Sequence, residues 1–337
     1  MNITKLAERF KKLSRIELEN LVYRCGLTIA QRNKLCMSRH LSRHLIVTYL
    51  QEQLEHTVKL VNNNNNNNND NNGNTNENLK VVGSSLPRSI ISIDIGIKNL
   101  AYIHITSDYK ILDWKKITLE LKSFEPEDII NQLIPLVNQT FLPKSNISGE
   151  KSGDEKISER EIVDLFIIER QIFRRFSSAL ITNVMTIESM LFTILTILRD
   201  NGQQFEVKSS FPTTTYQYLN QMIKKEINSE YSGDEIANWL RDLGKKSEIK
   251  EYLLGQDERK VRGRKKNFSK LIAQYWVKDH ANLCSKELTN YFNNSKKKDD
   301  LADCLLQGLV YLGCRRFSIH EANKWIIDEN KLFDDNL

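Results

Sequence analysis

The run Ser89–Ala101, SIISIDIGIKNLA, constrains the fold more than any other stretch of this chain. Its alternating β-branched residues predict a buried strand. The strand ends on a carboxylate, Asp94, and Gly96 admits a close backbone approach just beyond it. A carboxylate there is costly unless it meets a cation or a hydrogen-bond donor. A lone Asp after a strand is ordinarily a turn or cap residue, but two further acidic sites on core elements favour a metal.

The same pattern continues downstream. Asn99–Thr106 and Lys110–Ile117 read as two more strands of a meander, Pro126–Val137 as a helix and Asn146–Arg160 as a polar loop. Ile162–Glu169 is a buried strand ending in an acid, Ser177–Arg199 a long helix, and Phe205–Ser209 a short strand. Thr213–His280 is mostly helical and basic, and Asp299–Tyr311 is a last core helix. Three adjacent strands followed by helix–strand alternation predict an α/β fold, a mixed sheet with helices on its faces.

Upstream lies a different composition. Ser14 and Glu17 form a capping-box pattern, and Leu18, Leu21, Val22 and Cys25 follow at helical spacing before Gly26. A second helix carries Leu35, Leu41, Leu45 and Leu50 with Arg32, Lys34, Arg39 and Arg43 interspersed. Residues 1–60 hold 11 Lys/Arg against 5 Asp/Glu, so they alone match the net charge of +6 of the whole chain. An asparagine tract comes next, too polar to fold by itself. The expected domains are therefore 1–60, all-helical; 61–87, a disordered linker; and 88–337, the α/β domain. Such a linker leaves the first helices tethered to the α/β domain rather than packed on it.

The five cysteines show no paired framework, which points to a reducing compartment. Cys36, His40 and His44 recur every fourth residue, a spacing that suits a helix packing face and not the common zinc modules. No apolar run reads as long enough to span a membrane. The first residues, MNITKLAERFKKLSR, suit either a targeting helix or a basic helix of the first domain.

The acids carry the chemistry. Asp94 and Glu169 end strands, and Asp300 and Asp303 in KKKDDLADCLLQGL share a helical face, as do Asp299 and Asp303. Gathered carboxylates repel, and magnesium, a hard oxygen-seeking cation, resolves the conflict and bridges to phosphate.

SIDIGIKNLAY, IIERQ, VKSS and KKDDLADCLLQ resemble the fungal mitochondrial Holliday junction resolvases, relatives of the bacterial RuvC enzymes, over Arg88 to Gly313. LENLVYRCGL and the basic second helix resemble a SAP domain, a small DNA-binding module. The resemblance implies a ribonuclease H-like mixed sheet flanked by helices, preceded by a SAP-like helical module. It implies a homodimer that cuts four-way DNA junctions symmetrically, leaving 5′-phosphate and 3′-hydroxyl ends, in the mitochondrial matrix. It makes Asp94, Glu169, Asp300 and Asp303 the catalytic, metal-binding acids, with Asp299 competing with Asp300. Two Mg2+ ions per site are expected, with Mn2+ as a substitute.

A junction-binding chain needs cations for phosphate. Arg170, Gln171, Arg174 and Arg175 follow Glu169 directly. Lys208, Arg262, Arg264, Lys265, Lys266 and Lys298 complete the expected DNA-binding set. Phe173 and Phe176 have the spacing of core aromatics, with a wedge at the junction centre as the sharper reading. Competing functions are a non-catalytic junction or DNA-binding architectural protein, a ribonuclease H-type nuclease on another substrate, and an ATP-binding protein. The last would need glycine-rich phosphate loops, and the chain has no Gly-Gly pair, so no nucleotide cofactor is expected.

Overall fold

The computed structural model describes residues 3–25, 27, 37–48, 86–142, 163–170, 179–224, 235–254 and 261–334, with some side chains inside these ranges excepted. The Asn tract, the 146–160 segment, Gly26, Leu35, Cys36 and Leu50 lie outside them.

A five-stranded sheet with order β3-β2-β1-β4-β5 forms the centre of one compact unit, residues 87–226 and 239–310. Strand β1 (Ser89–Ile95) pairs antiparallel with β2 (Asn99–Thr106), and β2 with β3 (Ile111–Thr118). On its other side β1 runs parallel to β4 (Leu165–Glu169), which runs parallel to β5 (Glu206–Ser210). The β1–β2 connection is tight: the Gly96 amide donates to the Asn99 carbonyl at 2.8 Å, and a Cβ at Gly96 would stand 3.0 Å from that oxygen.

Side chains alternate between faces along each strand. One face, bearing Ile91, Ile93, Ile95, Phe166 and Ile168, is covered by α4 (Pro126–Leu136) and α5 (Ala179–Asp200) through Ile129, Leu133, Val184, Ile187, Leu191 and Leu195. Residues Ile181–Asp200 have a mean hydropathy of 1.6, which corrects the expectation that no run is long and apolar enough to cross a membrane. One face of α5 packs on the sheet through Val184, Ile187, Leu191 and Leu195, while Met185 and Ile197 on its other side are exposed.

The opposite face, with Ile90 and Ser92, carries the first half of α11 (Lys298–Asp334). Gly308 lies over Ile90, Ser92 and Ile105, and Ser92 Oγ donates to Gln307 Oε1 at 2.6 Å. The indole of Trp114 donates to the Leu301 carbonyl at 3.0 Å and stacks on Phe292 of α10 (Lys286–Asn294). The basic stretch resolves into α6 (Pro212–Lys224), α7 (Glu235–Gly244), α8 (Ser247–Leu254) and α9 (Val261–Asp279). A Cβ at Gly244 would stand 2.5 Å from the Ile223 carbonyl oxygen, so only glycine fits there.

The second unit comprises residues 1–86, 227–238 and 311–337. Its core joins α1 (Ile3–Lys12), α2 (Arg15–Arg24) and α3 (residues 37–48) through Leu6, Phe10, Leu18, Val22, Cys25, Leu41 and Leu45 to Phe317 and Ala322 of the second half of α11. The N-terminal helices are thus packed on later residues of the chain, Phe317 and Ala322. Phe10 and Trp325 meet edge to face with centroids 4.9 Å apart. The capping box is present: Glu17 accepts from the Ser14 amide at 2.7 Å, and Ser14 Oγ accepts from the Glu17 amide at 3.2 Å.

The last helix runs to Asp334, well beyond the expected Tyr311. Gly313 does not stop it, because Cys314, Phe317, Ser318, Glu321 and Ala322, spaced three and four residues apart, continue a buried face past that glycine.

Candidate active site

The site grows from strand register. In the parallel β1–β4 pair Ile93 stands opposite Ile168, so the next residues along, Asp94 and Glu169, stand side by side at the carboxyl end of the sheet. Asp94 lies two residues beyond Ser92 and shares its face. Asp303 lies four residues before Gln307 and shares its helix face. The Ser92–Gln307 hydrogen bond therefore sits one rung below the place where Asp303 approaches Asp94.

Electrostatics report the same convergence. The Glu169 carboxyl is held well above the usual carboxylate range by burial first, then by the negative charges of Asp94, Asp303 and Glu188. Burial pushes the Cys304 thiol up as well, and the charges of Asp94 and Asp303 add to it. Asp299 and Asp300 open α11, three to four residues before Asp303. Glu188, absent from the expected set, is the single charged residue between Ala179 and Leu198 of α5. That lone acid in an apolar helix was a readable signal.

Among the described residues, no three His, Cys, Asp or Glu side chains converge as the ligands of one metal ion. The donor set itself fits a hard divalent cation: all oxygen, partly buried, and mutually repelling at Glu169.

Arg170 follows Glu169 and is exposed. Its amide extends the β4–β5 ladder to the Ser210 carbonyl at 2.7 Å, and its guanidinium lies 5.6 Å from the Phe211 ring centroid. Lys208, opposite Ile167, is exposed and pairs with Glu206 at 2.6 Å. Lys298 begins α11 with its ammonium 6.0 Å from the Phe292 ring centroid. Gln171, Phe173, Arg174, Arg175 and Phe176 lie outside the described residues. Arg262, Arg264, Lys265 and Lys266 fall on the first turns of α9, and their side chains also lie outside the described set.

Tyr216 of α6, which sequence reasoning missed, reaches Asp303 Oδ1 at 3.4 Å and Ser269 Oγ at 2.6 Å. No local pattern marks it. The zinc reading of the N-terminal helices has no support at its described members. His44 Nε2 bonds Ser318 Oγ at 2.9 Å, His40 is exposed, and burial pushes the Cys25 thiol up to about 12.

A β3-β2-β1-β4-β5 sheet flanked by helices is the ribonuclease H-like fold of the resolvase-type nucleases. The chain belongs to the family described as mitochondrial resolvase Ydc2 / RNA splicing MRS1, which matches residues 90–316. Its structure is similar to the crystal structure of the yeast mitochondrial Holliday junction resolvase Ydc2. The two share 17% identity and a TM-score of 0.52, over 93% of this chain and 98% of that one. A T. thermophilus RuvC in complex with Holliday junction substrate matches 40% of this chain and 72% of its own at 13% identity, with a TM-score of 0.26. A comparison with curated proteins returned no match.

Proposed function

We propose that this chain cuts four-way DNA junctions by paired, symmetric, magnesium-dependent nicks, leaving 5′-phosphate and 3′-hydroxyl ends, in mitochondrial DNA recombination. The observation that carries the reading is the placement of Asp94 and Glu169 at adjacent strand ends, with Asp303 on the helix packed against the same face. Asp94, Glu169 and Asp303 would hold the cation, with Asp300, or Asp299 in its place, completing the set from the first turn of α11. When bound, the metal supplies Lewis acidity and a water activated for attack on phosphorus.

The chain's own residues do the rest. The clustered acids direct the cation to the carboxyl end of the sheet. Exposed Arg170, one residue beyond Glu169, is placed to grip the phosphate backbone beside the cut. Lys208 and the basic start of α9 would hold an arm. In the N-terminal unit Arg39, His40 and Arg43 are exposed on residues 37–48 while Leu41 and Leu45 are buried, a division that supports a SAP-like DNA-binding role.

Paired nicks need two sites, so the working form is a homodimer. One surface supports a second copy. The exposed stripe of α5, Thr182, Met185, Ser189, Thr193 and Ile197, carries no charge.

The family description also names RNA splicing, which keeps an RNA partner as a second reading. The carboxylate cluster favours cutting, because a pure binding surface gains nothing from acids facing phosphate.

The test is cleavage of a labelled four-way junction beside a linear duplex and an RNA–DNA hybrid, with and without Mg2+. Paired, metal-dependent nicks in the junction alone are expected. Asp94→Asn should abolish them and leave junction binding intact. Cutting of the hybrid alone would replace the substrate, and wild-type cutting by Asp94→Asn would remove Asp94 from the chemistry.

A further inference from the structure

Three helices meet at one phenol. Tyr216 Oη of α6 lies 2.6 Å from Ser269 Oγ of α9 and donates to Asp303 Oδ1 of α11 at 3.4 Å. Ser269 is fully buried and Tyr216 largely so. A phenol has one proton to give, while its oxygen also accepts. With that proton directed at the carboxylate, the Ser269 hydroxyl is the donor to the phenol oxygen. The resulting chain runs Ser269 to Tyr216 to Asp303.

Resting on the nuclease reading of Asp303, we propose that Tyr216, backed by Ser269, is a positioning residue. It holds Oδ1 of Asp303 and thereby sets how the carboxylate presents itself toward Asp94 and Glu169. The physical need is plain. The terminal torsion of an Asp side chain has a broad, weakly preferred range, so packing at Cβ does not fix its oxygens. The neighbouring acids repel Asp303 and would turn it away in the absence of a cation. A donor on one oxygen opposes that rotation. Hydrogen bonds behind metal-binding carboxylates orient them in this way, and losing one commonly costs 10-fold or more in metal affinity. The phenol also ties α6 and α9 to the helix that carries the acid, so its placement does not depend on a loop.

A ring that served only to pack would be replaced by phenylalanine at no cost to the metal site. The experiment is therefore Mn2+ binding to the full chain without DNA, followed by the electron paramagnetic resonance signal of free Mn2+. Wild type, Tyr216→Phe and Ser269→Ala are compared, with thermal melting recorded without metal. Tyr216→Phe is expected to weaken Mn2+ binding on the order of 10-fold and Ser269→Ala severalfold. Each shift should exceed what the change in melting explains. A structural role alone lowers melting and leaves the Mn2+ midpoint where it was, and that result in both variants overturns the proposal. Should Tyr216→Phe fail to fold, Ser269→Ala decides by the same midpoint. A wild-type chain that neither binds Mn2+ nor cuts a junction defeats the nuclease reading and this inference together. A wild-type chain that does both, with unchanged midpoints in the variants, defeats this inference alone.

Discussion

Glu169 ends a strand whose preceding four residues, Leu165 to Ile168, are all buried, and it meets the charges of Asp94, Asp303 and Glu188 there. Burial and like charge both favour its protonated form, so its native pKa stands above the ordinary value of 4.5. As pH rises past that value, the unfolded chain releases the proton while the native chain still holds it. The native state then binds more protons, and the Glu169 contribution to stability falls as pH climbs through the window between the two pKa values. Glu169→Gln removes this penalty. In metal-free buffer near neutral pH the variant should melt a few degrees above wild type, and the gap should close as pH falls toward 4.5. Its junction cutting should drop by orders of magnitude. Melting curves across pH, with a chelator present, check the sign, and a variant that melts below wild type at neutral pH contradicts it. Tyr216 belongs to the same residue scale but left no trace in sequence. A tyrosine in PTTTYQYLNQ looks like any amphipathic helix residue until α9 and α11 are folded around it.

At the scale of elements, legibility tracked the physics of local pattern. Strands β1 to β3 begin and end within a residue of the expected limits, because alternation with period two is written into each segment. The capping box at Ser14 and Glu17 was legible for the same reason, since its partners are three residues apart. Asp94 and Glu169 stand where they were expected, at the carboxyl ends of β1 and β4, the second because a continuous apolar run of Leu165–Ile168 precedes it. What escaped was long-range. The extension of α11 to Asp334 depends on Phe317 and Ala322 finding the N-terminal helices, a contact no local window contains. The first helix shows the consequence. As bare sequence, MNITKLAERFKK suits a leader as well as a domain. In the fold, Leu6 and Phe10 are fully buried in the core of the second unit. Phe10→Ala should cost about 3–5 kcal/mol, the usual penalty for emptying a buried aromatic site. Chemical denaturation of the full chain measures it. A cost under about 1 kcal/mol would mean that α1 adds little to that core.

For the whole molecule the open element is α5. Between Ala179 and Leu198 its one charge is Glu188, and Met185 and Ile197 are 48% and 53% exposed. Two of its hydroxyls bond within the helix: Thr186 Oγ1 donates to the Thr182 carbonyl at 2.9 Å and Thr193 Oγ1 to the Ser189 carbonyl at 2.8 Å. Bonds of this kind satisfy the hydroxyl within the helix and leave methyl groups outward. Small residues at Ser189 and Thr193 let another backbone come close. Twenty-two residues make a helix roughly 33 Å long. One helix width of that length falls short of the ~800 Å² per partner of a standard interface. α4, packed on the same face of the sheet, adds exposed Ile130 and Ile134. The face is apolar enough to hold a second copy, as the paired nicks proposed above would require. Met185→Glu with Ile197→Glu places a carboxylate at either end of the stripe without touching the buried Val184, Ile187, Leu191 and Leu195. Light scattering should then show monomer where wild type shows dimer. On the junction the variant should make single, uncoupled nicks, because the proposed acids Asp94, Glu169 and Asp303 all come from one chain while simultaneous incision would need two. Dimer retained in the variant would move the interface off α5. Wild type that is monomeric alone and binds lipid vesicles would assign the stripe to a membrane surface instead.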